Sequence, residues 1–540
     1  MGYVSGPFRT EEQNGTASFG SPSWMRIFAV SNADARSRSS MVLAAGTNWF
    51  AFAAALGVSF FLTPYLIGSL GKPRYDIWCV VESILAYFTL LDMGIAACLV
   101  REIARKQATR DVDSSSRVTS ACLAIYTAAG AFALLVGVPL AFAFVPILEA
   151  RDGVGAVLGF AVLMLANLAL TLPLSAFPSI LDGLEKFAAK SAVRVLFLAI
   201  RTGCIVVAIR AEYGLLALGV IFTVTNLLEH LAMAALCRMF VPGLRLRLDL
   251  IDRVTLKAIS GYSTDAFLAM LAGRITVQTG AIAVGFFLPV GQVTYFATAA
   301  RLVEYAKTLL RTITATLTPG VSAMEARGDW AGIRRILLGA TRGVLYIVLP
   351  INLGLWFFGK PFLARWVGAD FIVGSYPALA ILSATLAIGI AQSVASRILY
   401  GLGKLKIFAR FALAEAGLFL LFLVMLIGQY GVEGVAIATA ISNAIFCVAV
   451  IAKACRTVDV GVREYAECWL KPVCITLIPL AIWLLWGPVE PTWPAIAMAI
   501  AAGVVPYALL VAAIEFRSGI SRDAEALRSG ARGGNVCDIG

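Results

Sequence analysis

From Met41 to about residue 516 the chain is a near-unbroken succession of apolar stretches joined by short polar connections. Each stretch approaches the roughly 20 residues that a helix needs to cross a bilayer. Lipid offers no hydrogen-bond partner, so a spanning segment must satisfy its backbone internally, and a helix does this. With 60% hydrophobic and only 14% charged residues among 540, the chain cannot wet the surface of several soluble domains, which carry about 25% charged residues. The expected fold is an all-α polytopic membrane protein. Its fourteen spans fall near 41–66, 76–99, 118–146, 154–178, 192–210, 214–237, 258–287, 292–318, 337–358, 375–398, 405–428, 431–453, 469–487 and 492–515. Residues 1–40 and 517–540 are polar and Gly-rich, read as disordered cytoplasmic tails. The first has no apolar core and is not a secretory signal.

The charge balance is assigned by position. Net charge is +12, which fits a nucleic-acid partner or cytoplasmic loops facing anionic lipid. With the N-terminus inside, 33 of the 44 Lys and Arg lie in inside segments, six in outside loops and five within spans. Lys and Arg accumulate in cytoplasmic loops, so both termini are expected in the cytoplasm and no nucleic acid is needed. Trp356, Trp366, Trp483, Trp486 and Trp493 then fall near outer span ends, as an aromatic belt. The ten cysteines are scattered, without metal-ligand spacing, and read as small buried hydrophobes. The one histidine, His230 beside Glu229, reads as interfacial rather than as a proton relay. There is no metal site, and no GxSxG or P-loop motif points to an enzyme.

Sliding the chain on itself by about 220 residues reveals a repeat. Gly71-x-x-x-Tyr75 recurs as Gly291-x-x-x-Tyr295, Gly183-Leu184-Glu185-Lys186 as Gly401-Leu402-Gly403-Lys404, and Tyr213-Gly214 with Thr225-Asn226 as Tyr430-Gly431 with Ser442-Asn443. The offsets of 220, 218 and 217 imply two parallel six-helix bundles, 41–240 and 257–456, with helices thirteen and fourteen in 468–516. Parallel repeats of this kind occur in transporters that rock one half against the other around a central site.

An ionisable group at a helix centre costs roughly 2.5–3.5 kcal/mol on insertion scales unless it meets water or a partner. In span eight Arg301, Glu304, Lys307 and Arg311 share one face, within about 120° of arc. Span seven adds Arg274, with Gln278 one turn along. One reading is a cationic cavity for a phosphate or diphosphate head group, lined by Arg274, Arg301, Lys307, Arg311 and Gln278. The other has Glu304 pairing with Arg301 and Lys307 while Arg311 snorkels to the interface. Asp265, Glu82, Glu304 and Glu415 are candidates for coupling to H⁺ or Na⁺. Asp92, close to the basic end of its span, is the weakest acidic candidate. Pro64, Pro173, Pro178 and Pro350 are expected to kink their helices.

At Thr63-Pro64-Tyr65-Leu66-Ile67, Leu70-Gly71, Tyr75-Asp76-Ile77-Trp78 and Leu90-Leu91-Asp92-Met93-Gly94-Ile95 the chain resembles the bacterial polysaccharide (O-antigen) repeat-unit flippases. Their superfamily also holds the lipid II flippases and the multidrug and toxin extrusion transporters. Leu317-Thr318-Pro319, Ala326-Arg327-Gly328-Asp329-Trp330 and Gly431-Val432-Glu433-Gly434-Val435-Ala436 extend the resemblance through the second half. It implies a fourteen-helix, non-enzymatic protein of the plasma (inner) membrane that moves a polyprenyl-diphosphate-linked oligosaccharide from inner to outer leaflet by alternating access. It implies basic cavity residues at Arg274 and Arg301, the lipid-linked oligosaccharide, the bilayer and polysaccharide-assembly proteins as partners, and no cofactor beyond a coupling H⁺ or Na⁺. A lipid II flippase, a multidrug antiporter and a membrane-integral polymerase or ligase are the alternatives. Asp76 departs from the family, which usually has glycine after the tyrosine.

Overall fold

A computed structural model describes residues 35–92, 95–109, 112–144, 153–243 and 264–533. Among the described residues every regular element is helical. In chain order they are α1 (Ala35–Phe88), α2 (Ile95–Thr109), α3 (Val112–Phe144), α4 (Val154–Leu174), α5 (Ala176–Gly183), α6 (Phe187–Arg210), α7 (Leu215–Phe240), α8 (Thr264–Phe287), α9 (Gln292–Ala315), α10 (Leu317–Ala326), α11 (Trp330–Trp366), α12 (Phe371–Gly374), α13 (Tyr376–Ala384), α14 (Leu386–Gly401), α15 (Leu405–Thr457), α16 (Val462–Trp486) and α17 (Trp493–Gly533).

Ten helical stretches are long and apolar enough to cross a membrane, eleven with the bent pair 371–401. Two of the ten each hold two spans. α1 breaks at Gly71 (φ 73°, ψ 162°), and α15 breaks at Gly431 (φ 56°, ψ −129°). Neither conformation suits an L side chain. After Gly71, Pro73 opens the second limb of α1, where a missing N–H costs nothing. With α9, whose charge stripe sets it apart from the apolar group, the fourteen spans expected from the sequence fit this architecture.

Several boundaries move. Span two ends at Phe88, not residue 99, followed by a 3-10 turn at Thr89–Asp92 and the separate helix α2. Span ten divides at Thr385 into α13 and α14. The first and last helices begin at Ala35 and end at Gly533, inside the expected tails, whose remainders at 1–34 and 534–540 lie outside the described residues. Backbone breaks inside the merged helices fall at glycines rather than at Pro64.

The repeat is visible in the backbone. Glu185 and Gly403 both take positive φ, 58° and 66°. Lys186 N–H donates to Leu181 O and Lys404 N–H to Leu399 O, each at 2.9 Å. The glycines of these turns allow close packing in both halves. A Cβ on Gly183 would meet Ile103 of α2 at 2.9 Å, and one on Gly401 would meet Val321 of α10 at 2.7 Å. Helices α2 and α10 are thus counterparts.

Helices α3, α4, α6 and α7 pack on one another and on α1, and α8, α9, α11, α13, α14 and α15 form a second group. α1 also packs on α8 and α9, joining the groups, while α16 and α17 pair with each other and lie on α11. Trp483, expected in an aromatic belt, is instead 2% exposed and donates its indole N–H to Ala499 O at 2.8 Å. Its partner is the backbone of α17 rather than the lipid interface. Of the nine described cysteines, Cys204 and Cys474 are exposed and the others buried.

Candidate functional site

A cavity of about 690 Å³ lies against α8, α9, α13, α14 and α15, and among the described residues the first group contributes Cys79, Glu82, Ser83 and Ala86, all from the second limb of α1. Its size is that of a small-ligand site. It runs from Cys79 and Phe296 to Tyr400 and Phe408, beside the turn at 402–404. Among the described residues the lining of this cavity thus comes mainly from the second group.

Arg274, Arg301, Lys307, Arg311 and Gln278 all line this cavity, as do Glu82, Glu304 and Glu415. The side chain of Asp265 lies outside the described residues. Among the described residues Arg397 of α14 brings the lining to five cations against three carboxylates. Arg301 does not pair along its own helix. It donates to Glu82 at 3.3 Å and to Thr63 at 3.4 Å, both on α1, and so bridges the two groups. Glu304 accepts from Arg311 at 3.2 Å, two turns on, rather than from Arg301 or Lys307. Among the described residues Arg274, Lys307 and Arg397 have no ion pair. Glu415, 7% exposed, accepts from the Asn443 amide at 2.8 Å.

Arg201, the remaining in-span cation of the first group, is held elsewhere. It donates to Thr225 at 2.9 Å and to Glu229 at 2.9 Å, so its charge is spent in joining α6 to α7. In the repeat Thr225-Asn226 corresponds to Ser442-Asn443, where Asn443 holds a carboxylate instead of an arginine assembly.

The end of the bundle that bears Gly71 and Gly291 is closed by contacts between the groups. Asp76, 6% exposed, accepts from Gly291 N–H at 2.5 Å, from Thr294 N–H at 2.7 Å and from the Thr294 hydroxyl. Gly291, at φ 96°, starts α9 without a side-chain cap of its own. The carboxylate of another helix thus satisfies the free amides of this helix start and complements its dipole. Beside it Lys72 pairs with Asp370 and donates to the Tyr295 hydroxyl at 2.6 Å. Burial alone would push the Asp370 carboxyl up, but the hydrogen bond and charge of Lys72 outweigh it and hold the group below the usual carboxylate range. Three or more turns further into the bundle, Trp366 donates to Phe60 O at 2.9 Å and the Ser59 and Tyr305 hydroxyls meet at 2.6 Å. Asp76 was visible in the sequence only as a departure from a pattern. Its partners lie more than 200 positions away, beyond any local signal.

Sequence reasoning also passed over α14, where Gln392, Ser393, Ser396, Arg397 and Tyr400 line the cavity. The signal was present as polar residues at every fourth position, Gln392, Ser396 and Tyr400, inside an apolar span.

No family model matches the chain. A curated relative, the probable low-salt glycan biosynthesis flippase Agl15 of Haloferax volcanii, is 23% identical over 189 residues, covering 35% of this chain and 40% of the relative. The match thus spans less than half of that protein. Among solved structures the fold is similar to the lipid II flippase MurJ in an inward closed conformation, with TM-score 0.69 at 14% identity over 89% of this chain and 99% of that one. It is also similar to an inward-facing multidrug resistance MATE family transporter of the MOP superfamily, with TM-score 0.63 at 16% identity over 74% and 94% of the two chains. The protein is a multi-pass membrane protein with the MurJ and MATE fold.

Proposed function

We propose that the chain is a flippase that carries a polyprenyl-diphosphate-linked oligosaccharide from the inner to the outer leaflet of the plasma membrane by alternating access, with both termini in the cytoplasm. The observation that carries this reading is the cavity itself. Among the described residues its lining holds more cations than carboxylates and Arg274 and Lys307 have no ion pair, while Asp76 and Lys72 join the two groups at the Gly71 end. Cations with unspent donors suit a diphosphate, whose oxygens accept several charge-assisted hydrogen bonds. The same balance disfavours a multidrug antiporter for cationic drugs. Arg301 serves as a bridge to Glu82 and Thr63 as well as a cavity cation. Glu415 with Asn443, and Glu82 and Glu304, are the candidates for coupling to H⁺ or Na⁺. Polysaccharide-assembly proteins are expected partners. A lipid II flippase is the second reading, favoured by the MurJ-like fold and by the shared diphosphate.

The test is complementation in a host lacking its own repeat-unit flippase. Losing one charge-assisted contact of about 1.5–3 kcal/mol should lower export of surface polysaccharide at least about tenfold in Arg274→Ala, with the protein still in the membrane. Full export by the Arg274→Ala, Arg301→Ala double variant would remove the cationic-cavity reading. Rescue of a host lacking its lipid II flippase, without rescue of the polysaccharide host, would select the second reading.

A further inference from the structure

The cavity has two chemically different walls, and the reading above uses only one. The α9 wall is a stripe of charge. The adjoining surface of α14 carries one charge, Arg397, among neutral polar side chains, and its Ser393 hydroxyl reaches Thr314 of α9 at 3.3 Å. At 100° per residue Gln392, Ser393, Ser396, Arg397 and Tyr400 occupy about 140° of arc. The remaining face, including Ile390, Ala391, Val394 and Ile398, is at most 1% exposed and packed into the protein. Polar groups within a span face the protein interior or a watery cavity, and these residues do line the cavity.

An aromatic surface adjoins them. Tyr400 meets Phe408 at 5.0 Å and Phe408 meets Phe446 at 5.6 Å, both edge to face, and all three rings line the cavity. The Arg397 guanidinium lies 6.0 Å from the Tyr400 ring. Gln392 donates one N–H to Ser396 at 2.5 Å, leaving the rest of its amide for an occupant. The Tyr400 hydroxyl makes no hydrogen bond among the described residues.

We propose that the α14 face and the Tyr400, Phe408 and Phe446 rings form a saccharide subsite, separate from the charge stripe of α9. A pyranose has apolar C–H faces and a rim of hydroxyls that both donate and accept. It matches rings flanked by amide, hydroxyl and guanidinium groups. A diphosphate would find one cation here, and an acyl or prenyl chain would strand the polar groups. The subsite gives the glycan, rather than the lipid phosphate, a recognising surface. It rests on the flippase reading and deepens it.

The experiment measures binding to the purified full-length chain in detergent. The probes are undecaprenyl diphosphate and the same lipid carrying one glucose, galactose or N-acetylglucosamine. Wild type is expected to bind at least one glycosylated form about fivefold or more tightly than the bare lipid. Gln392→Ala and Tyr400→Leu should erase that preference while leaving affinity for the bare lipid within about twofold. Tyr400→Phe keeps the ring and should lose only part of the preference. Arg274→Ala should weaken all probes alike. Wild type binding the bare lipid and no glycosylated form more tightly would overturn the subsite and leave the flippase reading intact. Equal loss of every probe in Gln392→Ala and Tyr400→Leu would also overturn the subsite. Wild type binding none of the probes would overturn the flippase reading itself, and the subsite with it.

Discussion

Asp76 shows how one side chain can hold two halves of a polytopic protein together. A buried carboxylate is tolerable only when hydrogen-bonded, and here the donors come from the start of α9. Hydrogen bonds to charged groups contribute about 1.5–3 kcal/mol. Asp76→Ala should therefore shift the equilibrium between closed and open mouths by roughly 2 kcal/mol, about thirtyfold. Double electron–electron resonance between spin labels on either side of the mouth reads this directly, and an unchanged distance distribution would contradict it. The neighbouring pair is weaker, because the Lys72 and Asp370 side chains are 31% and 51% exposed. Exposed pairs are worth about 0.2–1 kcal/mol and fade with salt. Because Asp370 is held below its ordinary value of about 4, its contribution is complete above that pH and is lost as pH falls through the lowered value. The closed-mouth difference between wild type and Asp370→Asn should thus be flat between about pH 5 and 8 and shrink only below about 4. A slope within the flat window would refute the assignment. The cavity residues of α8 and α9 were legible as charges that no span should carry without reason. Asp76 was not, because an acid at a span end has an ordinary explanation until its distant partner is known.

Among the elements, α9 was the most legible, since its charges recur at helical spacing on one face. Hydropathy failed where an apolar run outlasts a helix. Ile95–Leu99 continues the apolar pattern of span two, yet belongs to α2, because a 3-10 turn intervenes. The short connections after spans one and eleven were located correctly, but their geometry was not foreseen. Gly71 and Gly431 turn the chain within a single residue. At Gly431 a Cβ would meet nothing closer than Leu288 at 3.9 Å, so the penalty for a side chain there is purely conformational. Gly431→Ala should lower stability by about 1–3 kcal/mol. Gly428→Ala, in the helical limb just before it with open space around it, should be neutral or stabilising by up to about 1 kcal/mol. Thermal unfolding of the two variants in detergent separates these outcomes, and equal midpoints would exclude a special role for the bend.

At the scale of the whole molecule the sequence revealed the duplication, and the structure reveals how unequal its two products have become. The Thr225-Asn226 and Ser442-Asn443 positions correspond, yet Arg201 ties up the first and a carboxylate borders the cavity at the second. Such divergence is invisible to motif matching. Which face of each helix meets the cavity is decided by packing among helices far apart in sequence. The lopsided cavity, its polar α14 wall and its closed end all arise at that level. The Gly71 end also makes departure from the cavity in that direction a matter of breaking named bonds. A solute leaving that way meets the three hydrogen bonds at Asp76 and the ion pair at Lys72, so latch and passage are built from the same few side chains.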